Sequence, residues 1–341
     1  MLGPVDLLLG GVIPGIVALL IRATLHRIGW TQAAWPLAIA SGVVVGQASL
    51  AAVPTVAEAG GLTAAVSAYF AALPEAFAAF VQPRQASHWL AAGTVVAAAA
   101  TLLLARRHRV ARRAGALLGL ALAFTLPTRL LWGSVYFLSE WSREEAILRV
   151  ALMACGLVAL GWLALPRVEP DDSPTSLGPP TTPRSLIGPV LMAVVALGVS
   201  VLLATSGSLS YAQHGGVMLA AIVGATLGAM GQISYRSLGE HAGHGGLVVV
   251  TWLSGLAMLG AFYAEITPLN VVLAVVGLGA AIAAGGTRHT TWRRVAVCSV
   301  VCVAAVGFAI TSSGLEFSRA IAQPTDNPYL NWQPPSDTGV E

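Results

Sequence analysis

Residues 105–114 read "ARRHRVARRA", five arginines and a histidine in ten positions, and an apolar run lies on each side, near 89–105 and 114–136. A helix needs roughly 17–25 mostly apolar residues to cross a bilayer. A cationic segment between two runs of that length reads as a cytoplasmic stop between two spans. Both flanks are apolar helices, so no independent fold is left to dock a duplex. Aromatic interleaving is missing too, which excludes nucleic acid as a partner. The partner implied is the lipid bilayer, whose anionic headgroups attract such a segment.

Eight more runs of similar length occur, near 5–21, 36–54, 146–165, 186–206, 212–233, 246–263, 267–284 and 295–313. Soluble helices need a polar face, and runs this long and this apolar do not provide one. Composition agrees. Of 341 residues 56% are hydrophobic and 10% charged, and the mean hydropathy is +0.77. A soluble domain carries about 25% charged residues. The expected fold is therefore all-α: a polytopic transmembrane helical bundle of about ten spans.

All 18 basic residues are arginine, so every basic group is permanently charged. With residue 1 outside, the odd-numbered loops face the cytoplasm. They hold Arg22, Arg27, Arg106, Arg107, Arg109, Arg112, Arg113, Arg167, Arg184, Arg236, Arg288, Arg293 and Arg294. Outer loops and the tail hold only Arg84, Arg143 and Arg319, while Arg129 and Arg149 fall within spans. This is the positive-inside asymmetry, and it sets both termini outside in a bacterial cytoplasmic (inner) membrane. Asp6 stands where a signal peptide would carry basic residues, so the first run is expected to stay as an anchor.

One segment fits two readings. In "LTAAVSAYFAALPEAFAAFV" (62–81) the bulky residues Leu62, Val66, Tyr69, Leu73, Phe77 and Phe80 form a helical stripe, with Ala and Ser opposite. If it crossed, there would be eleven spans, and Arg22 and Arg27 would be outside. The preferred reading is a helix at the outer interface, small side on protein.

The domain plan follows. Residues 1–166 hold spans one to five with the outer interfacial helix. Residues 167–184 form a cytoplasmic Pro/Ser/Thr-rich linker, 185–313 hold spans six to ten, and 314–341 form a polar periplasmic tail. Five spans on each side of the linker give halves of opposite orientation, the parity of inverted-repeat transporters. Gly11 and Gly15, Gly42 and Gly46, Gly115 and Gly119, and Gly224 and Gly228 are spaced to let helix backbones approach.

Charges inside spans are the first functional candidates. Arg129 has no acid on its own helix and lies about 12 Å from the expected span end at 1.5 Å per residue. Its expected partner is an outer carboxylate: Glu140, Glu144, Glu265 or Glu75. A bundle-stabilising pair and an anion-contacting residue both fit it. Arg149 follows Glu145 by four, the order that favours a local ion pair. "TSGSLSYAQHGG" (205–216) makes an uncharged polar turn at the outer face, with His214 entering span seven. Arg129, Arg149, Glu145, Glu265, Tyr211 and His214 together form a candidate polar vestibule.

The remaining candidates read as structural. "GEHAGHGG" (239–246) is a cytoplasmic loop whose acid precedes both histidines, against the zinc-protease order. Cys298 and Cys302 share a helix face with no His, Asp or Glu nearby, and Cys155 also sits in an apolar run; all three read as packing residues. No mid-membrane Asp, no G-x-S-x-G elbow and no lysine for a phosphate loop occurs. No catalytic residue, metal or cofactor is therefore expected.

Four stretches carry a resemblance: "PEAFAAFVQPRQASHWLA" (74–91), "LPTRLLWGSVYFLSEWSREEAILRVAL" (126–152), "SGSLSYAQHGG" (206–216) and "FYAEITP" (262–268). In them the chain resembles a family of polytopic, about ten-span, bacterial inner-membrane proteins of planctomycete type. That family has no established activity, so the resemblance implies a fold and no site residues or substrate. The functional expectation is a non-enzymatic multi-pass protein, a scaffold with an outward-facing polar surface for a membrane or periplasmic protein partner. The alternative is a small-solute permease with a polar site near Arg129.

Overall fold

A computed structural model describes residues 4–59, 61–83, 85–106, 108–132, 134–165, 184–230, 235–285 and 292–322. The first helix, α1, runs as Pro4–Leu7, a π-helical turn Leu8–Val12, and Ile13–Arg27. Then come α2 (Thr31–Ala51), the short α3 (Val53–Ala57), α4 (Leu62–Val81), α5 (Ala86–Leu104) and α6 (Arg109–Leu131). A π-helical turn, Tyr136–Glu140, leads into α7 (Arg143–Ala164). The second half holds α8 (Arg184–Thr205), α9 (Leu209–Met230), α10 (Tyr235–Tyr263), α11 (Pro268–Gly285) and α12 (Trp292–Ala322).

Among the described residues ten helices, α1, α2 and α5–α12, are long and apolar enough to cross a membrane, and they match the ten runs read from the sequence. The surface confirms the solvent. Leu20, Leu117, Phe124, Leu152, Trp162, Val300 and Phe308 are all exposed. So large an apolar surface on a soluble monomer would drive aggregation. The chain is an all-α, multi-pass membrane protein.

Helix α10 is the axis. It packs against α2, α5, α6, α7, α8, α9 and α11. Its apolar stretch is 78% buried, against 28% for each of α1, α7 and α12 at the rim. Glycines on α10 make that crowding possible: a Cβ at Gly245 would overlap the Trp35 ring, and one at Gly255 would overlap Leu90. In lipid the apolar effect does not drive helices together, so close van der Waals contact must. At the α1–α9 crossing it is backbone that meets backbone, with Gly224 lying on the backbone of Gly15. Of the eight glycines expected at crossings, Gly15, Gly42, Gly46, Gly115, Gly224 and Gly228 are at close approach, while Gly11 and Gly119 face open space.

Helix α4 turns Ala65, Ala68, Ala72, Ala76 and Ala79 toward protein and leaves Val66, Phe70 and Phe77 exposed. Tyr69, near its middle, hydrogen-bonds Ser49 close to the C-terminal end of α2 (Oη–Oγ 2.8 Å). This contact places the middle of α4 beside the last turn of α2.

Several boundaries differ from expectation. Span four ends at Leu131, five residues early, because the chain leaves the helix at Trp132. Residues 239–246 continue α10 as helix; they are no loop. The last helix runs to Ala322, so the expected tail from 314 begins as helix. Residues 166–183, which hold nearly all of the expected linker, and 323–341 lie outside the described residues, as do the side chains of Glu240, His241 and His244. Packing is not two-fold between the halves. α8 lies along α11, but their counterparts by order, α1 and α6, make no comparable contact among the described residues.

Candidate functional site

α6 stops at Leu131 and places Arg129 in its last turn, where the helix dipole favours a cation. The side chain is exposed. Its guanidinium stacks on Trp89 of α5 at 4.9 Å and on Trp132 at 6.0 Å. These indoles replace the expected carboxylate partner: among the described residues no acid pairs with Arg129. The depth expected for it also goes, because the helix ends sooner.

Arg149 behaves alike. Its guanidinium lies 4.7 Å from the Trp141 ring. Glu145 is engaged elsewhere: its carboxylate accepts from the Ser142 N–H at 3.0 Å while its own N–H donates to Ser142 Oγ at 3.2 Å. This capping box starts α7. No direct Glu145–Arg149 salt bridge is made, although the two opposite charges still attract one another.

One run of rings joins the two arginines. Trp132 touches Phe137 at 6.5 Å, Phe137 touches Trp141 at 6.1 Å, and Trp141 and Tyr136 both meet Phe262 edge-on. The turn 132–141 folds back to bring these together, which no helical spacing announces. Tyr263, next in chain, donates to Leu130 O at 3.0 Å and pins α10 to α6. Glu265 is exposed and has φ +52°, a left-handed conformation costly for a side chain-bearing residue. It follows α10 in the position that glycine usually holds.

Tyr211 and His214 lie deeper. The Tyr211 ring is 6.5 Å from Tyr263 and 6.5 Å from His214. His214 is buried; its carbonyl accepts from Trp252 Nε1 at 3.1 Å, and its Nδ1 has no partner. Of the six vestibule candidates, Tyr211 and His214 thus come together near the start of α9, beside Tyr263 at the end of α10, and Glu265 follows two residues after Tyr263 in the chain. Arg129, Arg149 and Glu145 lie along the aromatic run on α6 and α7.

Most hydroxyls in the spans are satisfied locally: Thr94, Thr101, Ser200 and Thr251 each donate to the carbonyl four residues back. A smaller set is not. Gln47 Oε1, Ser254 Oγ and Asn270 Nδ2 are buried without partners. Asn270 Oδ1 accepts from Ser312 at 2.7 Å, and Thr205 meets Ser313 at 2.6 Å, which ties α8, α11 and α12 together. The voids here are small and apolar; the one lined by Val199, Leu202, Ala257, Ile266, Val271 and Ala274 holds about 10 Å³.

The residue that sequence reading missed is Arg22. Counted as a solvated loop cation, it is instead completely buried inside α1. Nη1 donates to Thr31 O at 3.3 Å, and Nε has no partner. The guanidinium lies 5.8 Å from the Trp35 ring, near the outer limit for a cation–π contact. A signal did exist: Gly11, Gly15, Ala18 and Arg22 follow at four-, three- and four-residue steps, so Arg22 continues the small-residue face of α1. Gly228 of α9 leaves the space its stem fills.

Neither a family model nor a curated protein nor a solved structure matches this chain.

Proposed function

We propose that the chain is a non-enzymatic scaffold of a bacterial cytoplasmic membrane, kin to the planctomycete-type ten-span proteins it resembles. Its outer rim presents an aromatic–arginine surface to an anionic segment of a membrane or periplasmic protein partner. One observation carries this reading: Arg129 and Arg149 are exposed and stacked on Trp89, Trp132 and Trp141, and Glu145, the carboxylate whose charge reaches Arg149, is itself bonded into the Ser142 cap. Indole stacking fixes a guanidinium in position while leaving its donor edges open. A surface of fixed cations and aromatic rings has the composition of binding hot spots.

The test is a photo-crosslinking residue at Trp132 in cells. A crosslinked partner that disappears in Arg129→Ala/Arg149→Ala, with protein level unchanged, supports the reading. Crosslinking to lipid alone in both backgrounds contradicts it.

A permease is the second reading. It rests on His214, Gln47 and Ser254, whose orphaned polar atoms lie inside the bundle. In that case Arg129→Ala leaves the protein level normal and abolishes solute uptake; under the scaffold reading uptake is unaffected.

A further inference from the structure

Helix α12 is longer than a crossing needs. Its Ser312 donates to Asn270 in the first turn of α11 at 2.7 Å, and its Ser313 meets Thr205, the last residue of α8, at 2.6 Å. About ten residues of helix remain beyond Ser312, roughly 15 Å at 1.5 Å per residue. Leu315, Glu316, Phe317, Ser318 and Arg319 are exposed there. α12 thus rises past the ends of α8 and α11. The same end holds the aromatic–arginine run. The turn 264–267 joins α10 to α11, and Tyr263, the last residue of α10, donates to Leu130 O in the last turn of α6.

Charge singles out what fits that run. Arg129 and Arg149 are exposed, with indole faces as their partners. Glu145, the carboxylate whose charge reaches Arg149, is held in the Ser142 cap. The acids whose side chains lie outside the described residues fall into two groups. Glu169, Asp171 and Asp172 come between the end of α7 and the start of α8, and Glu240 stands in the first turns of α10. Those are the far ends of helices whose near ends meet the run. Asp326, Asp337 and Glu341 follow α12, at the run's own end. Residues 323–341 contain no basic residue, and Tyr329 and Trp332 stand between the acids.

Reach is sufficient. α12 packs on α11, α11 on α7 and α7 on α6. At 8–10 Å between packed axes, Arg149 lies about 20 Å and Arg129 at most about 30 Å across the end from α12. The segment from Ala322 to Asp337 spans up to about 50 Å when extended. A tether of this length holds its acids near the rim at an effective concentration on the order of millimolar, so contacts as weak as exposed ion pairs are enough to occupy it.

We propose that the acidic C-terminal segment, residues 323–341, docks on the aromatic–arginine rim of its own chain. Its carboxylates take the open edges of Arg129 and Arg149, and Tyr329 and Trp332 lie against the rings of Trp132 and Trp141. This docking rests on the reading of the rim as a surface for acidic segments, and it makes the segment a built-in competitor of an outside partner.

The test is a photo-crosslinking residue at Asn331 of the full chain. Isotopically light and heavy chains are solubilised together, and crosslinked peptides are identified by mass. The expected crosslinks join 331 to residues 129–149, light to light and heavy to heavy. Their yield is expected to fall roughly tenfold in Asp326→Asn/Asp337→Asn/Glu341→Gln and equally in Arg129→Gln/Arg149→Gln. The first variant leaves every described residue in place, so its effect is not a loss of fold. Light-to-heavy crosslinks would assign the rim to a second copy, and crosslinks to lipid or detergent alone would assign the segment to the membrane; either overturns the proposal, as does a yield that the charge variants leave unchanged. The crosslinker at Trp132 in cells keeps the two readings apart. With the segment neutralised, the yield of the outside partner is expected to rise severalfold. A partner at Trp132 without the 331 crosslink overturns the docking alone, and the 331 crosslink without a partner overturns only the scaffold.

Discussion

At the scale of single residues, environment and not residue type separates the arginines. Arg129 and Arg149 are exposed and lie on indoles; Arg22 is sealed among helices. The sequence marked Arg129 and Arg149 because they interrupt apolar runs. It did not show their indole partners, because Trp132 and Trp141 are brought round by a turn and Trp89 lies on another helix. Arg22 was misread because a span's last turns and the loop after it share one composition. Glu265 offers a direct test of local strain. Its φ of +52° suits glycine, so Glu265→Gly is expected to raise stability by about 1 kcal/mol, read as a higher unfolding temperature. A drop would mean that the carboxylate itself makes a stabilising contact. Removing the α7 cap with Ser142→Ala should lower stability by about 1 kcal/mol in the same assay.

At the scale of elements, the ten spans were legible because lipid demands continuous apolar length, a signal that needs no periodicity. Helix ends were less legible, since they depend on contacts made after the chain turns back: the Trp132 exit and the helical continuation through 239–246 are both of this kind. The glycine pairs were found by spacing, yet spacing alone did not say which would meet a neighbour. The structure does. Gly224→Val drives a side chain into the Gly15 backbone and should lower stability by roughly 1–3 kcal/mol or more. Gly119→Val on α6 meets nothing within 4 Å and should be close to neutral. Equal losses in the two variants, measured by unfolding in the same detergent, would contradict the close crossing of α1 and α9.

At the scale of the whole molecule, α10 organises the bundle, and arginine placement is the basis for its proposed orientation. Five spans on each side of the linker allowed an inverted repeat, but α10 is buried far more than its counterpart α5, 78% against 50%. Parity alone therefore does not make two-fold packing. The outer aromatic run and the interior His214 take their functional meaning from which end faces the cytoplasm. That assignment rests on "ARRHRVARRA", where Arg109, Arg112 and Arg113 stand in the first turns of α6 against the helix dipole. Their placement there makes sense as retention on the inner face, a whole-molecule requirement that overrides the local one. The measurement is labelling of intact cells with an impermeant thiol reagent, after Cys155, Cys298 and Cys302 are replaced by alanine, using single cysteines at His108 and at Ser208. Labelling at Ser208 with none at His108 until the membrane is opened is the expected result. Labelling at His108 in intact cells would invert the molecule and contradict the account.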